Sequence, residues 1–261
     1  MRHEPNGANP VWLVGAGPGD PELLTRKAER LIYTADIVFY DALVGPDILS
    51  LIAPKAERVA VGKRSGRHSK DQESINALLL AAARAGKRVV RLKGGDPSIF
   101  GRSMEEIAYL QAEGIEVRIC PGITAASAAA ASLGLSLTLR GMARRLQFVT
   151  AHARKGEVLD LDWQALADPE STLAVYMGKA AAEDVSRQLM AAGLAGDTPA
   201  VVIENASLPN ERHLATRLDL LPLAVKTGIG DGPALLLIGR AMDVRAAALA
   251  ARQSQAAGHG K

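Results

Sequence analysis

Five short segments in the first half of the chain place glycine, proline, carboxylates and cations directly after apolar runs. They are GAGPGD at 15–20, YDAL at 40–43, GKRSGRH at 62–68, KGGDP at 93–97 and CPGITA at 120–125. A glycine-rich turn leaving a short strand lets backbone approach a ligand, and the first candidate is a nucleotide phosphate. The dinucleotide fingerprint G-x-G-x-x-G needs a third glycine where this chain has Asp20. A carboxylate there repels a pyrophosphate and competes for the helix N-terminal amides that would bind it. Pro18 removes one more amide donor. Asp41, ending the second apolar run, could stand for a ribose-binding acid, so a dehydrogenase stays open as an alternative. The chain has no GxxxxGK[ST], H-E-x-x-H or G-x-S-x-G motif. A ligand with a nucleoside and a cationic centre but no phosphate fits better, and S-adenosylmethionine is one. Backbone carbonyls, which Pro18 retains, can face its sulfonium.

The elements that must position these loops follow from apolar periodicity. Strands are expected at 11–14, 37–40, 58–61, 88–92 and 115–119. Helices are expected from the Asp20-Pro21-Glu22 start, after the Ser69/Gln72 capping box, over 104–113 and over 123–133. This βα rhythm implies a mostly parallel sheet whose ligand sits beyond the carboxyl ends of its strands. All five loops should therefore share one edge. The pattern breaks at 134–145. Strands then follow at 146–150, 172–177, 200–204, 214–218 and 234–238, with helices at 180–192 and 220–226. More strands per helix imply a mixed sheet. The expectation is an α/β chain with an N-terminal domain over 11–138, a C-terminal domain over 144–243, and flexible tails at 1–10 and 249–261.

Composition narrows the class. A net charge of +3 without a basic stripe is too mild for a nucleic-acid binder. No apolar run approaches the roughly 20 residues needed to cross a bilayer, and the first residues lack the apolar core of a secretory signal. Cys120 is the single cysteine, so no intramolecular disulfide can form, which fits the cytoplasm and a packed core thiol. The histidines at 3, 68, 152, 213 and 259 have no metal-ligand spacing, and no metal is expected.

The ordered set GAGPGDPELLT, YDALV, VGKRSGRHS, RLKGGDPSIFGR, the Glu105-Glu106 pair, CPGITAASAAAA and VYMGK resembles the uroporphyrinogen-III C-methyltransferases, the tetrapyrrole branch of the class III methyltransferases. The resemblance covers about residues 11–243. It implies two α/β domains with S-adenosylmethionine between them, a homodimer, and a tetrapyrrole as the other substrate. Because the chain begins at the methyltransferase strand, it looks like a stand-alone enzyme. The implied donor-binding positions are Pro18, Gly94, Gly95, Asp96, Ile99, Thr124, Ala125, Met177 and Ala206. Asp41 is implied as proton acceptor and Lys63 as proton donor. Arg102, Glu105 and Arg140 match positions lining the tetrapyrrole site, with Arg64 beside them. Arg102 is a candidate for removing the product proton, although a guanidinium is a poor base and anion binding suits it better. Arg67, Arg144 and Arg145 add cations for a polycarboxylate. The reaction implied is methylation at C2 and C7, giving precorrin-2.

The chain departs from the family pattern at several positions. Ser103-Met104 stands where Gly-Gly is usual, and Met104 would narrow the site. Leu139 replaces a histidine, Ser98 an aromatic and Ala206 a glycine. These changes leave open a methyltransferase acting on a later corrin precursor, or a non-catalytic relative that binds donor or tetrapyrrole. A ribosomal RNA substrate is disfavoured by 3% aromatic content, too little for base stacking.

Overall fold

The computed structural model describes residues 9–62, 72–151 and 159–243. Apart from Asn9 and Pro10, the expected tails lie outside the described residues. The chain divides at Thr124/Ala125 into two compact units.

The first unit contains β1 (Val11–Gly15), α1 (Arg26–Thr34), β2 (Ile37–Tyr40), α2 (Pro46–Ser50), β3 (Glu57–Ala60), α3 (Gln72–Arg84), β4 (Val89–Lys93), α4 (Ser103–Ala112) and β5 (Val117–Cys120). The strands form one sheet in the order β3-β2-β4-β1-β5, and every pair is parallel. The connections from β1 and from β4 leave in opposite directions across the sheet, the arrangement that opens a crevice beyond the strand ends. Strand alternation sorts the side chains onto two faces. Val14, Val38, Val90 and Leu92 pack with Ala28 and Ile32 of α1 and Ile48 of α2. Val11, Ile37, Phe39 and Val89 pack with Ile75 and Leu79 of α3 and Leu110 of α4. Cys120 is a buried core thiol near the Thr25 hydroxyl.

The helix expected from Asp20 is divided in two. Asp20 caps only a 3-10 turn, Pro21–Leu23, by accepting from the Glu22 amide at 2.9 Å. Leu24 is extended, and α1 restarts under Thr25, whose hydroxyl accepts from the Ala28 amide at 3.1 Å. The second cap overrides continuous helical periodicity.

At the opposite end of β2, Asp36 accepts from the Arg88 amide at 2.8 Å and its guanidinium at 2.6 and 3.0 Å. Arg88 holds the Asp36 carboxyl well below its ordinary value of 3.8, chiefly by side-chain hydrogen bonding. A carboxyl depressed on folding stabilises fully above its unfolded pKa, and that stabilisation is lost as pH falls below it. Between about pH 4 and pH 2 the native protein should therefore lose stability more steeply than Asp36→Asn. Urea midpoints measured across that range check this.

The second unit contains α5 (Ala125–Ser132), β6 (Arg145–Thr150), α6 (Trp163–Leu166), β7 (Ser171–Tyr176), α7 (Ala182–Ala191), β8 (Pro199–Glu204), β9 (Arg212–Arg217), α8 (Leu221–Gly228) and β10 (Ala234–Ile238). Its sheet order is β6-β7-β10-β8-β9. Only β6 and β7 are parallel neighbours, so the sheet is mixed, as expected. Val185 and Leu189 of α7 and Leu221 of α8 pack on one face with Leu173, Val202 and Leu236. Ala126 and Ala129 of α5 cover the other, with Ala174, Val201 and Leu235.

The division at 124/125 falls earlier than the boundary expected between 138 and 144. In sequence, α5 continues the first half's βα rhythm. In space its alanine face is buried on the second sheet, and Leu133, Leu135, Leu137 and Leu139 pack there after it. The break in pattern marks the end of that covering segment, not the start of the domain.

Candidate active site

Strand order brings the glycine loops together. With β1 between β4 and β5, GAGPGD, KGGDP and CPGIT leave three adjacent strand ends. The approach is close enough to require glycine. A Cβ on Gly122 would lie 2.3 Å from the Gly95 carbonyl oxygen, and one on Gly15 would lie 2.6 Å from Gly122 Cα. Gly17 and Gly95 exchange backbone hydrogen bonds of 3.2 and 2.7 Å, with Gly95 at φ +68°. Asp96 fastens the cluster: one carboxylate oxygen accepts from the Ser98 amide at 2.7 Å, the other from the Gly122 amide at 2.9 Å.

Asp41 joins this edge from β2. It accepts from the Leu43 amide at 3.0 Å and more weakly from the Gly94 amide at 3.4 Å. A Cβ on Gly62 would lie 2.3 Å from the Ala42 nitrogen, so the chain leaving β3 reaches the same place. Lys63 and Arg64, with Arg67 and the Ser69 cap, lie outside the described residues.

Beneath Asp41 is a buried charge cluster. Arg91 and Lys93 alternate with Val90 and Leu92 along β4 and so fall on its α4 face. There Glu106 accepts from Arg91 Nε at 3.1 Å on one oxygen and from Lys93 Nζ at 2.7 Å on the other. The three side chains are only 6%, 6% and 1% exposed. Arg91 also donates to the Leu92 carbonyl at 2.9 Å, and its Nη1 stands 3.8 Å from Asp41. Desolvation pushes the Lys93 ammonium below its ordinary pKa, with Glu106 opposing that shift.

The segment before α4 is bent. Phe100 and Arg102 have φ of +50° and +55° on either side of Gly101, whose Cβ would meet the Pro97 carbonyl oxygen at 2.6 Å. Arg102 grips Glu105 bidentately at 2.7 and 2.6 Å in an exposed pair. Hydrogen bonding to Glu105 raises the Arg102 pKa further, so the guanidinium is a still poorer base. Ser103 is buried and its hydroxyl donates to the Pro97 carbonyl, which gives this departure a structural role. Met104, the neighbouring departure, is 70% exposed.

In the second unit, Met177 and Ala206 follow β7 and β8, which run the same way on either side of β10. Met177, Asn205 and Ser207 all have positive φ, and Met177 is about half exposed. The adjoining loop at 229–233 is clamped by opposite charges. Buried Glu204 accepts from the Gly230 and Gly232 amides at 3.0 and 2.6 Å, while Lys179 donates to the carbonyls of the same two glycines. Arg140 is exposed beyond the leucine segment. A cavity of about 510 Å³ in this unit, lined by Ser171, Pro199 and Gly239, lies at the opposite sheet edge, away from Met177.

The structure thus gathers Pro18, Asp41, Gly94, Gly95, Asp96 and Ile99 on one edge of the first sheet, with Thr124 ending that unit and Ala125 opening the next. Sequence reading missed Arg91, Lys93 and Glu106, and the Lys179–Glu204 clamp. The signal for the former was available: two cations at alternate positions of an otherwise apolar strand need a buried carboxylate.

Residues 10–222 match the model of the tetrapyrrole (corrin/porphyrin) methylases. The chain belongs to this family. A curated relative, the S-adenosyl-L-methionine-dependent uroporphyrinogen III methyltransferase of the Arabidopsis thaliana chloroplast, is 47% identical over 91% of this chain and 65% of its own length. The siroheme synthase of Gluconacetobacter diazotrophicus is 49% identical over 88% of this chain and 49% of its own length. This methylase chain spans about half to two thirds of the curated relatives it matches. Among solved structures, a uroporphyrin-III C-methyltransferase of Thermus thermophilus complexed with S-adenosylhomocysteine superposes with a TM-score of 0.77 at 41% identity, covering 90% of this chain and all of the other. A cobalt precorrin-4 methyltransferase of cobalamin biosynthesis superposes with a TM-score of 0.80 at 32% identity, covering 89% and 95%. Among the described residues no group of three or more His, Cys, Asp or Glu could hold a metal ion, and no helix is long and apolar enough to cross a membrane.

Proposed function

We propose that this methylase uses S-adenosylmethionine to methylate uroporphyrinogen III at C2 and C7, giving precorrin-2, as a cytoplasmic homodimer. The observation that carries the reading is the junction of Gly15, Gly95 and Gly122 with Asp41 beside it. The three glycines pack backbone on backbone, Gly15 buried and Gly95 and Gly122 half-buried, and the edge they form carries no side chain of its own to obstruct a flat nucleoside. It offers poor phosphate chemistry, because Asp20 already occupies the Glu22 amide. Pro18, Gly94, Gly95, Asp96, Ile99, Thr124, Ala125, Met177 and Ala206 are the donor positions. Asp96 acts mainly by fixing the loops, since both its oxygens hold backbone amides.

The nucleophile is an electron-rich pyrrole carbon. Its electron pair forms the new C–CH3 bond as the C–S bond breaks, and the bonding pair returns to sulfur and neutralises the sulfonium. The ring then loses one proton to Asp41 for each methyl group added, while Lys63, the proton donor, hydrogen-bonds a substrate carboxylate. Alignment of carbon, methyl and sulfur supplies most of the acceleration, about 7–11 kcal/mol in favourable cases. Arg102, Arg140 and Arg64 pair with the substrate's carboxylates, Arg102 exchanging Glu105 for substrate, and Glu105 then accepts from the pyrrole N–H groups.

Mass spectrometry of the product from uroporphyrinogen III and donor should show two added methyl groups. Asp41→Asn should lower kcat by about 10²–10⁴-fold and leave donor affinity intact. Methylation of precorrin intermediates alone would favour the later corrin step, a reading supported by the precorrin-4 enzyme's superposition. Donor binding without turnover on any tetrapyrrole would favour a non-catalytic role.

A further inference from the structure

The buried cluster points to a role the reaction scheme leaves out. We propose that Glu106 is a positioning residue that acts through Arg91 to keep Asp41 competent as proton acceptor. The inference rests on the reading of Asp41 given above.

Glu106 is 1% exposed, so it does not meet solvent in this unit. Both its oxygens are taken by β4 cations, Arg91 on one and Lys93 on the other. Arg91 is consequently held at two points, by Glu106 and by the Leu92 carbonyl. Its Nη1 remains 3.8 Å from Asp41 Oδ2, outside direct hydrogen-bond distance. Among the described residues, the charged groups facing Asp41 are Arg91 and Lys93 from β4, with Glu106 of α4 behind them. Two cations and two carboxylates balance.

Removing the Glu106 charge upsets that balance in one direction. Arg91 loses its stronger partner, and Asp41 is the nearest carboxylate left to it. Closing the 3.8 Å gap would convert Asp41 into the acceptor of a direct ion pair. Opposite charge at contact favours the ionised carboxylate and makes it a weaker base. Glu106 therefore competes with Asp41 for Arg91 and leaves Asp41 free to take a proton.

A double-mutant cycle on kcat tests this, with S-adenosylhomocysteine release as the assay. Glu106→Gln should lower kcat about tenfold or more and move the acid limb of the kcat profile to lower pH. The Kd for S-adenosylhomocysteine should stay within about twofold. In the Asp41→Asn background, Glu106→Gln should change kcat by less than about twofold, because the group it acts on is gone. Losses that multiply in the two backgrounds would overturn the inference and leave Asp41 as acceptor. An unchanged kcat in Asp41→Asn alone would instead overturn the assignment of Asp41, and the inference with it. Where Glu106→Gln does not fold, Glu106→Asp completes the cycle. It keeps the charge balance and withdraws the carboxylate from Arg91 by one methylene.

Discussion

Gly122→Ala is expected to lose binding of S-adenosylhomocysteine by more than about tenfold and to destabilise the protein at the upper end of about 1–3 kcal/mol. The new methyl group would sit 2.3 Å from the Gly95 carbonyl oxygen and within 3.0 Å of Gly15 backbone atoms. None of these atoms is the mobile end of a side chain. Relief requires moving the CPGIT loop away from both the KGGDP and GAGPGD loops, and that movement strains the Asp96–Gly122 bond. Gly45→Ala provides the contrast, because a Cβ there meets no atom within 4 Å and its φ of -72° suits alanine. Calorimetric titration and denaturant unfolding on both variants check the prediction. Equal effects would show that the three-loop junction is more yielding than its geometry implies.

The second large effect is asymmetric. Lys93→Met or Glu106→Gln alone should cost about 3–5 kcal/mol, because each leaves an uncompensated charge in a dry site. The two together should cost far less than the sum. In the double variant Arg91 and Asp41 remain as one cation and one carboxylate, so no buried charge is left uncompensated. Urea midpoints of the four proteins measure the coupling. Lys93 also leaves a mark in alkali. Its folded pKa lies below the ordinary 10.5, so between those two values the unfolded chain holds the extra proton. Stability gains a component that rises with pH there, and Lys93→Met should lack it.

Most of the strand ends were legible because glycine, proline and apolar runs punctuate them. The βα rhythm placed β1, β2 and β4 to within a residue or two, and glycine loops after them predicted a shared edge. What sequence could not supply was register. Glu105 and Glu106 are adjacent acids on one helix, yet one pairs with Arg102 near solvent and the other lies fully buried. KGGDP read as a loop, although Lys93 is the last strand residue and points inward. Positive φ at Phe100, Arg102 and Met177 had no signal, since none is glycine, asparagine or aspartate. The short helices α2 and α6 carry too little periodicity to declare themselves. The alanines of α5 fit either sheet equally well until the packing is seen.

The order of the first sheet has a consequence for how the protein is made. Val11 pairs with Val117, so the strand that begins the sheet is completed by the one that ends it. A chain still emerging through β4 has the GAGPGD and KGGDP loops but not Gly122, so the Asp96 carboxylate lacks the Gly122 amide from which it accepts. The three-loop junction is thus a product of the longest-range contact in the unit, among the slowest kinds to form. A ligand held by that junction cannot template the early sheet. It acts after β5 has docked, deepening the finished state and slowing its opening more than it speeds assembly.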